Sequence, residues 1–189
     1  MEERALSTLK VILTDRGMTG ENFESVGSTL DDAKIYTFGA VLVIFSTKTR
    51  ISEKDLNTFI DYAKEQNTTT LIIIGMMRPS EAVLNSLRNY INQKDSILVH
   101  VFEIRHLQLQ YGRHVKVPKH RIVEASEIPN IMKQENAKSL SVFRKIDSQD
   151  AMAKWVGARP GDLLEVTGMC ETSIENKRYL FCMADVVNG

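Results

Sequence analysis

The sequence predicts a mixed α/β (α+β) protein in two parts, a helix-covered sheet followed by a smaller α+β unit. Three observations carry this. Short apolar runs, "AVLVIF", "TTTLIIIG" and "SILVHVFEI", alternate with amphipathic stretches of about 10 to 15 residues, the pattern of a sheet covered by helices. After Gly112 the alternation ends and shorter, turn-rich elements follow, so the boundary falls near residues 107–113 and the parts are 1–110 and 111–189. Composition is that of a globular chain: 189 residues, 43% apolar, 25% charged, formal net charge zero.

Each element has its own reason. "ALSTLKVIL" spaces Leu6, Leu9 and Leu13 by three and four, which predicts a helix. "DRGMTGENFESVGSTLDD", polar and holding three glycines, reads as loop. "AVLVIF" (40–45) reads as a buried strand. "SEKDLNTFIDYAKEQ" puts Leu56, Phe59, Ile60 and Ala63 on one face, and Ser52 with Asp55 forms a capping box. "TTTLIIIG" is a second strand. "PSEAVLNSLRNYI" is a helix with Val83, Leu84, Leu87 and Ile91 turned inward, and "SILVHVFEI" a third strand. In the second part, "IPNIMKQENAK" is a helix candidate. "DSQDAMAKWVG" is a stronger one, capped by Asp147 or Ser148, facing Met152, Trp155 and Val156 one way and ended by Gly157. "RPGD" is a turn. "LLEVTGM" and "RYLFCMADVV" read as strands joined through "CETSIENK".

Composition narrows the function classes. No run of 18 apolar residues occurs, so neither a spanning helix nor a membrane partner is expected. "MEERALSTLK" lacks the apolar core of a secretory signal. Cys170 and Cys182 form no C-x-x-C pair and are expected to be reduced thiols. The zero net charge hides local asymmetry. Residues 1–46 carry four basic and seven acidic side chains, whereas 113–121, "RHVKVPKHR", carry four basic and none acidic. That run reads equally as a solvated loop or as a patch for an acidic partner surface.

All four histidines, His100, His106, His114 and His120, fall between positions 100 and 120. Zinc sites need converging ligands with close pairs. Here the spacing is six, eight and six, with Pro118 between the last two and the cysteines far off. No metal or other cofactor is expected. A restriction-type nuclease would set an Asp on one strand and Glu-x-Lys on the next. "DAK" (Asp32–Lys34) and "ENK" (Glu175–Lys177) fit the tail of that pattern, but "AVLVIF" and "TTTLIIIG" hold no acid. Such a nuclease is the enzyme-class alternative; a free protein or nucleic-acid adaptor is another. The sharpest local feature is "LIIIGMMRPSEAV". Arg78, Pro79 and Ser80 follow a strand and open a helix, where free N–H groups and a cation suit a phosphate. A plain turn with Pro at the first helical position fits equally, and no G-x-G-x-x-G or Walker lysine suggests a nucleotide.

The order of the motifs is similar to that of the subunit-5 family of eukaryotic DNA-dependent RNA polymerases, shared by polymerases I, II and III; the archaeal counterpart resembles the C-terminal part alone. The chain aligns His114, Val117, Pro118 and His120, then Arg144, Ile146, Asp150, Ala153, Lys154, Trp155, Gly157, Pro160, Gly161 and Val166, then Glu171, Thr172, Arg178 and Tyr179 with the family pattern. "DRGM", "VLVIF" and "LIIIGMMRPSEAV" resemble its N-terminal motifs. The proline of the family's D-P-V-A-R-Y gives way to Ala or Met, "VFRKI" stands for L-P-R-I, Arg78 replaces the threonine of T-P-S-A, and the last hairpin is longer. Such drift suggests a divergent lineage, viral or a specialised paralogue.

The resemblance implies a non-catalytic subunit. Residues 1–110 would be a restriction-endonuclease-like jaw domain beside downstream double-stranded DNA, touching it through Arg78, Pro79 and Ser80. Residues 111–189 would be an assembly domain on the largest subunit, near subunit 6. Its contacts would come from Arg113, His114, Lys116, Pro118, Lys119, His120, Arg121, Arg144, Arg178 and Tyr179, and the histidines would be structural. The compartment implied is the nucleus, or host cytoplasm and virion for a viral lineage.

Overall fold

Alternation of period two and period 3.6 builds two separate sheets. The computed structural model describes residues 1–18, 20, 22–27, 30, 33–93, 96–170 and 173–184, with the backbone alone at 169, 170 and 173–175. The chain divides into two units, Met1–Gln110 and Tyr111–Gly189. Both are mixed α/β, and five α-helices occur among the described residues.

In the first unit the described elements run α1 (Glu2–Asp15), β1 (Glu24–Val26), β2 (Ala33–Phe38), β3 (Val41–Ser46), α2 (Glu53–Glu65), β4 (Thr70–Gly75), α3 (Glu81–Ile91) and β5 (Leu98–Glu103). The sheet order is β1-β2-β3-β4-β5, with antiparallel pairing from β1 to β3 and parallel pairing from β3 to β5. β3 and β4 are buried along their whole length, as parallel strands covered on both faces must be. One face packs Leu42, Ile44, Leu71, Ile73, Val99 and Val101 against Leu56, Phe59 and Ile60 of α2 and Val83 and Leu87 of α3. α1 lies on the other face, where Arg16 Nη2 reaches Nδ1 of the buried His100 at 3.1 Å. A guanidinium only donates, so His100 accepts there and is neutral.

Two strands of this unit were not expected. β1 falls inside the stretch read as loop, and β2 precedes the first expected strand. β2 alternates only over its first three residues, with Ala33 and Ile35 buried and Lys34 exposed; Phe38 is buried at its end, and a two-residue turn at Gly39 (φ 57°) and Ala40 returns it to β3. The Ser52–Asp55 capping box is present with both of its hydrogen bonds. Burial pushes the Asp55 carboxyl up, but Lys48 and Ser52 bond it more strongly and hold it at about 2.

In the second unit the elements are β6 (Lys119–Ile122), α4 (Ile128–Gln134), β7 (Arg144–Asp147), α5 (Ala151–Val156), β8 (Leu163–Cys170) and β9 (Ser173–Met183). The sheet order is β6-β8-β9-β7: β8 pairs antiparallel with β6 and β9, and β7 parallel with β9. α5 starts later than its sequence suggested. Asp150, not Asp147 or Ser148, caps it by accepting from Met152 N–H, while Asp147 closes β7. Gly157 ends it in the left-handed conformation (φ 78°), as expected. On α5 the stripe differs too: Trp155 is buried with Ala153 and Lys154, and Met152 and Val156 are half-buried. Trp155 fixes the first residues of the unit. The Tyr111 ring meets it edge-on, centroids 4.9 Å apart, and Tyr111 Oη donates to Ala151 O. A Cβ at Gly112 would lie 2.3 Å from the indole, so only glycine passes there.

Candidate docking groove of the second unit

Four distant segments of the second unit meet on one sheet face. Register aligns His120 with Val166 and Val166 with Arg178 across three strands. The next row aligns Leu164 with Leu180, and Leu180 with Arg144. Paired residues share a face, so these side chains form one surface. α5 covers one end of it, packing Ala153 and Val156, with Ala158 just past its end, on Leu164, Leu180, Cys182 and Ile146. Burial there pushes the Cys182 thiol up to about 12. The other end opens as a groove of about 530 Å³, where Val166 and Leu180 meet Pro118, Phe143 and Tyr179.

The groove's charge is one-sided. Arg144, Lys145, Lys177 and Arg178 line it, with Glu135 the one carboxylate among the lining residues. Lys177 lies 3.7 Å from Glu165. Arg144, Lys145 and Arg178 make no ion pair among the described residues.

Arg121, one residue past His120, belongs to the opposite face and has a different fate. Its Nε and Nη2 donate to Glu165 at 3.1 and 2.9 Å, and its Nη1 and Nη2 to Glu127 at 2.7 and 3.3 Å. These bonds outweigh the upward push of burial and hold both carboxyls below the usual range. They also raise the Arg121 guanidinium further. Arg121 is therefore occupied within its own unit.

Of the ten residues read as partner contacts, Pro118, His120, Arg144, Arg178 and Tyr179 line the groove. Arg113, His114, Lys116 and Lys119 lie outside its lining, the first three on the segment leading into β6 and Lys119 as the first residue of that strand. His114 Nδ1 accepts from Lys116 N–H and its carbonyl from Val117 N–H, a tight turn that leaves Val115 99% exposed. His120 Nδ1 donates to Pro118 O at 2.8 Å. No cluster of three or more metal-binding side chains occurs among the described residues. Sequence reading missed Phe143, Lys145, Ile146, Lys177 and Leu180. The available signal was faint: β7 is four residues long and its partner β9 lies far along the chain.

In the first unit, Arg78 is exposed on the β4–α3 connection, beside Met76 and Met77 at 46% and 40% exposure. Pro79 sits before the cap rather than at the first helical position. Ser80 is the cap, and its Oγ accepts from Val83 N–H at 3.4 Å, which leaves only its O–H to donate. The two nuclease-like tripeptides fall in different units. Asp32 and the Glu175 side chain lie outside the described residues. Lys34 pairs with Glu2 and Lys177 with Glu165, both outside their tripeptides.

The family comparison falls on the second unit. A family model described as RNA polymerase Rpb5, C-terminal domain, matches residues 109–182. The DNA-directed RNA polymerase subunit Rpo5 of Methanococcus maripaludis is 32% identical over 76 residues, 40% of this chain and 96% of that protein. The subunit of the same name from Aeropyrum pernix is 34% identical over 71 residues, 38% of this chain and 78% of its own length. Subunit 5B of the DNA-directed RNA polymerases IV and V of Arabidopsis thaliana is 24% identical over 119 residues, 63% of this chain and 52% of that protein. These likenesses define a subunit of the transcription machinery, a component of a DNA-directed RNA polymerase and not an enzyme by itself. The chain belongs, as a divergent member, to the family of RNA polymerase subunit 5.

Proposed function

We propose that the second unit anchors the chain to the largest polymerase subunit, near subunit 6, and that the groove face makes the contact. The observation that carries this is the convergence of Pro118, His120, Arg144, Arg178 and Tyr179 on one groove in the unit that matches the family model. A relative little longer than the 76 aligned residues, itself named as a polymerase subunit, supports a unit of this size as sufficient for a subunit. The lead-in residues Arg113, His114, Lys116 and Lys119 add a second basic surface. Arg121 leaves the proposed set, because its donors are taken by Glu127 and Glu165.

The first unit is proposed as part of the jaw beside downstream duplex DNA. Its exposed Arg78 gives a sequence-independent phosphate contact, with Ser80 O–H as a lesser donor and Pro79 shaping the turn. The compartment follows from the polymerase joined: the nucleus for a cellular enzyme, cytoplasm and virion for a viral one.

Affinity purification from native extract at low salt tests the assembly reading. The tagged full chain is expected to recover the large polymerase subunits. A chain lacking residues 1–110 is expected to recover them as well, and a chain lacking residues 112–189 is not. Recovery of the full chain alone overturns the assignment, and recovery by the chain lacking 112–189 moves it to the first unit.

A further inference from the structure

We propose that the groove takes an extended acidic polypeptide segment of its partner, with an apolar side chain seated against Val166 and Leu180. This rests on the reading of the second unit as the assembly module and adds the chemistry of what it holds.

The argument begins with charge. Three cations, Arg144, Lys145 and Arg178, stand around the groove with no carboxylate paired to any of them among the described residues, and Glu135 is the single acid in the lining. On the opposite face of the same sheet, Arg121 has two carboxylates. The unit thus pairs Arg121 with its own carboxylates and leaves Arg144, Lys145 and Arg178 unpaired among the described residues. Guanidinium groups bind carboxylates in a bidentate fork, so two exposed arginines on neighbouring strands select an acidic ligand.

Shape and hydropathy decide between ligand classes. The volume, about 530 Å³, is that of a real binding cleft. Its apolar part comes from Val166, Leu180, Ile146 and Pro118, which suits an aliphatic side chain. A groove for single-stranded nucleic acid would present aromatic faces on which bases stack. Here Phe143 and Tyr179 meet edge-on, centroids 5.9 Å apart and planes at 65°, and both pack on the α4-side cluster of Val123, Ile131 and Leu163. The groove is also bordered by β7, an edge strand of the sheet. An extended segment meets such a border through its backbone while alternate side chains enter the groove.

The test is direct binding to the purified full chain, read by fluorescence anisotropy. The probes are a labelled peptide alternating glutamate with leucine, its counterpart with lysine for glutamate, and a labelled single-stranded DNA oligonucleotide. The acidic peptide is expected to bind and to weaken with added salt. The R144E/R178E double variant should weaken it at least about ten-fold, R144K/R178K by less, and K138E, off the groove, should leave it unchanged. Matching thermal melts establish that each variant is folded. Equal binding of the two peptides, indifference to R144E/R178E, or tighter binding of the oligonucleotide through the same arginines would overturn the proposal. If the chain co-purifies with a polymerase but shows no acidic preference, the groove inference falls alone. If the peptide binds yet no polymerase co-purifies, the assembly reading falls and the groove chemistry stands.

Discussion

Arg121 and Arg144 are both exposed cations on edge strands of one sheet, β6 and β7, and the sheet uses them in opposite ways. Arg121 is held by Glu165 and Glu127 and joins β6, β8 and the N-terminus of α4. Arg144 faces a groove whose four cations meet one acid. The difference teaches that a basic residue's role is set by where its counter-charge sits. An internal carboxylate makes it part of the fold; a missing one makes it available to a partner. Stability and assembly should therefore separate onto different faces.

The comparison is sharpened first where the groove face is closed. Trp155 is 4% exposed, and it anchors Tyr111 and Gly112. Trp155→Ala should cost about 3–5 kcal/mol, the usual range for a buried aromatic, read as a lower urea midpoint for the second unit. Arg121→Ala comes next. It leaves Glu165, 7% exposed, with Lys177 at 3.7 Å and the Tyr179 hydroxyl. Because the Arg121 side chain is itself 46% exposed, the cost should be about 1–2 kcal/mol and not the full cost of breaking a buried pair.

Acid titration gives a smaller effect with a definite sign. Glu165 and Glu127 titrate below their usual range because Arg121 bonds their ionised forms. Their contribution is complete above the unfolded glutamate value of about 4.3 and is lost as pH falls through the depressed folded values. Thermal melts of the full chain should drop on acidification below that point, and Arg121→Ala should flatten the drop. The smallest effect on stability belongs to the groove. R144E/R178E should change the melting free energy by no more than about 0.5 kcal/mol, as for surface sites without partners. A large loss there would mean that these arginines are structural after all.

Much of the first unit was legible in its sequence because its elements are local and strongly periodic. β3, β4 and β5 are apolar runs bounded by turns, and α2 and α3 carry clean stripes and serine caps. β1 escaped because all three of its residues are exposed, so burial imposes no pattern on them. The groove was half legible. Resemblance supplied Pro118, His120, Arg144, Arg178 and Tyr179. Lys145, Ile146 and Leu180 depend on the parallel pairing of β7 with β9, a non-local choice that no local pattern encodes. The pairing of Arg121 stayed hidden for a related reason: its two carboxylates lie 6 and 44 positions away. A run of like charge shows that counter-ions are needed and not where they come from.

The most direct test of this division of labour is competition for the polymerase. Tagged wild-type chain and an untagged R144E/R178E competitor, or an untagged wild-type competitor, would be co-expressed, and the untagged chain's share of purified polymerase measured by quantitative mass spectrometry alongside its melting temperature. The account predicts an unchanged melting temperature and at least about a ten-fold smaller share for R144E/R178E than for the wild-type competitor, since two exposed charge contacts are reversed at once. Equal shares for the two competitors would contradict it and return the groove to ordinary solvated surface.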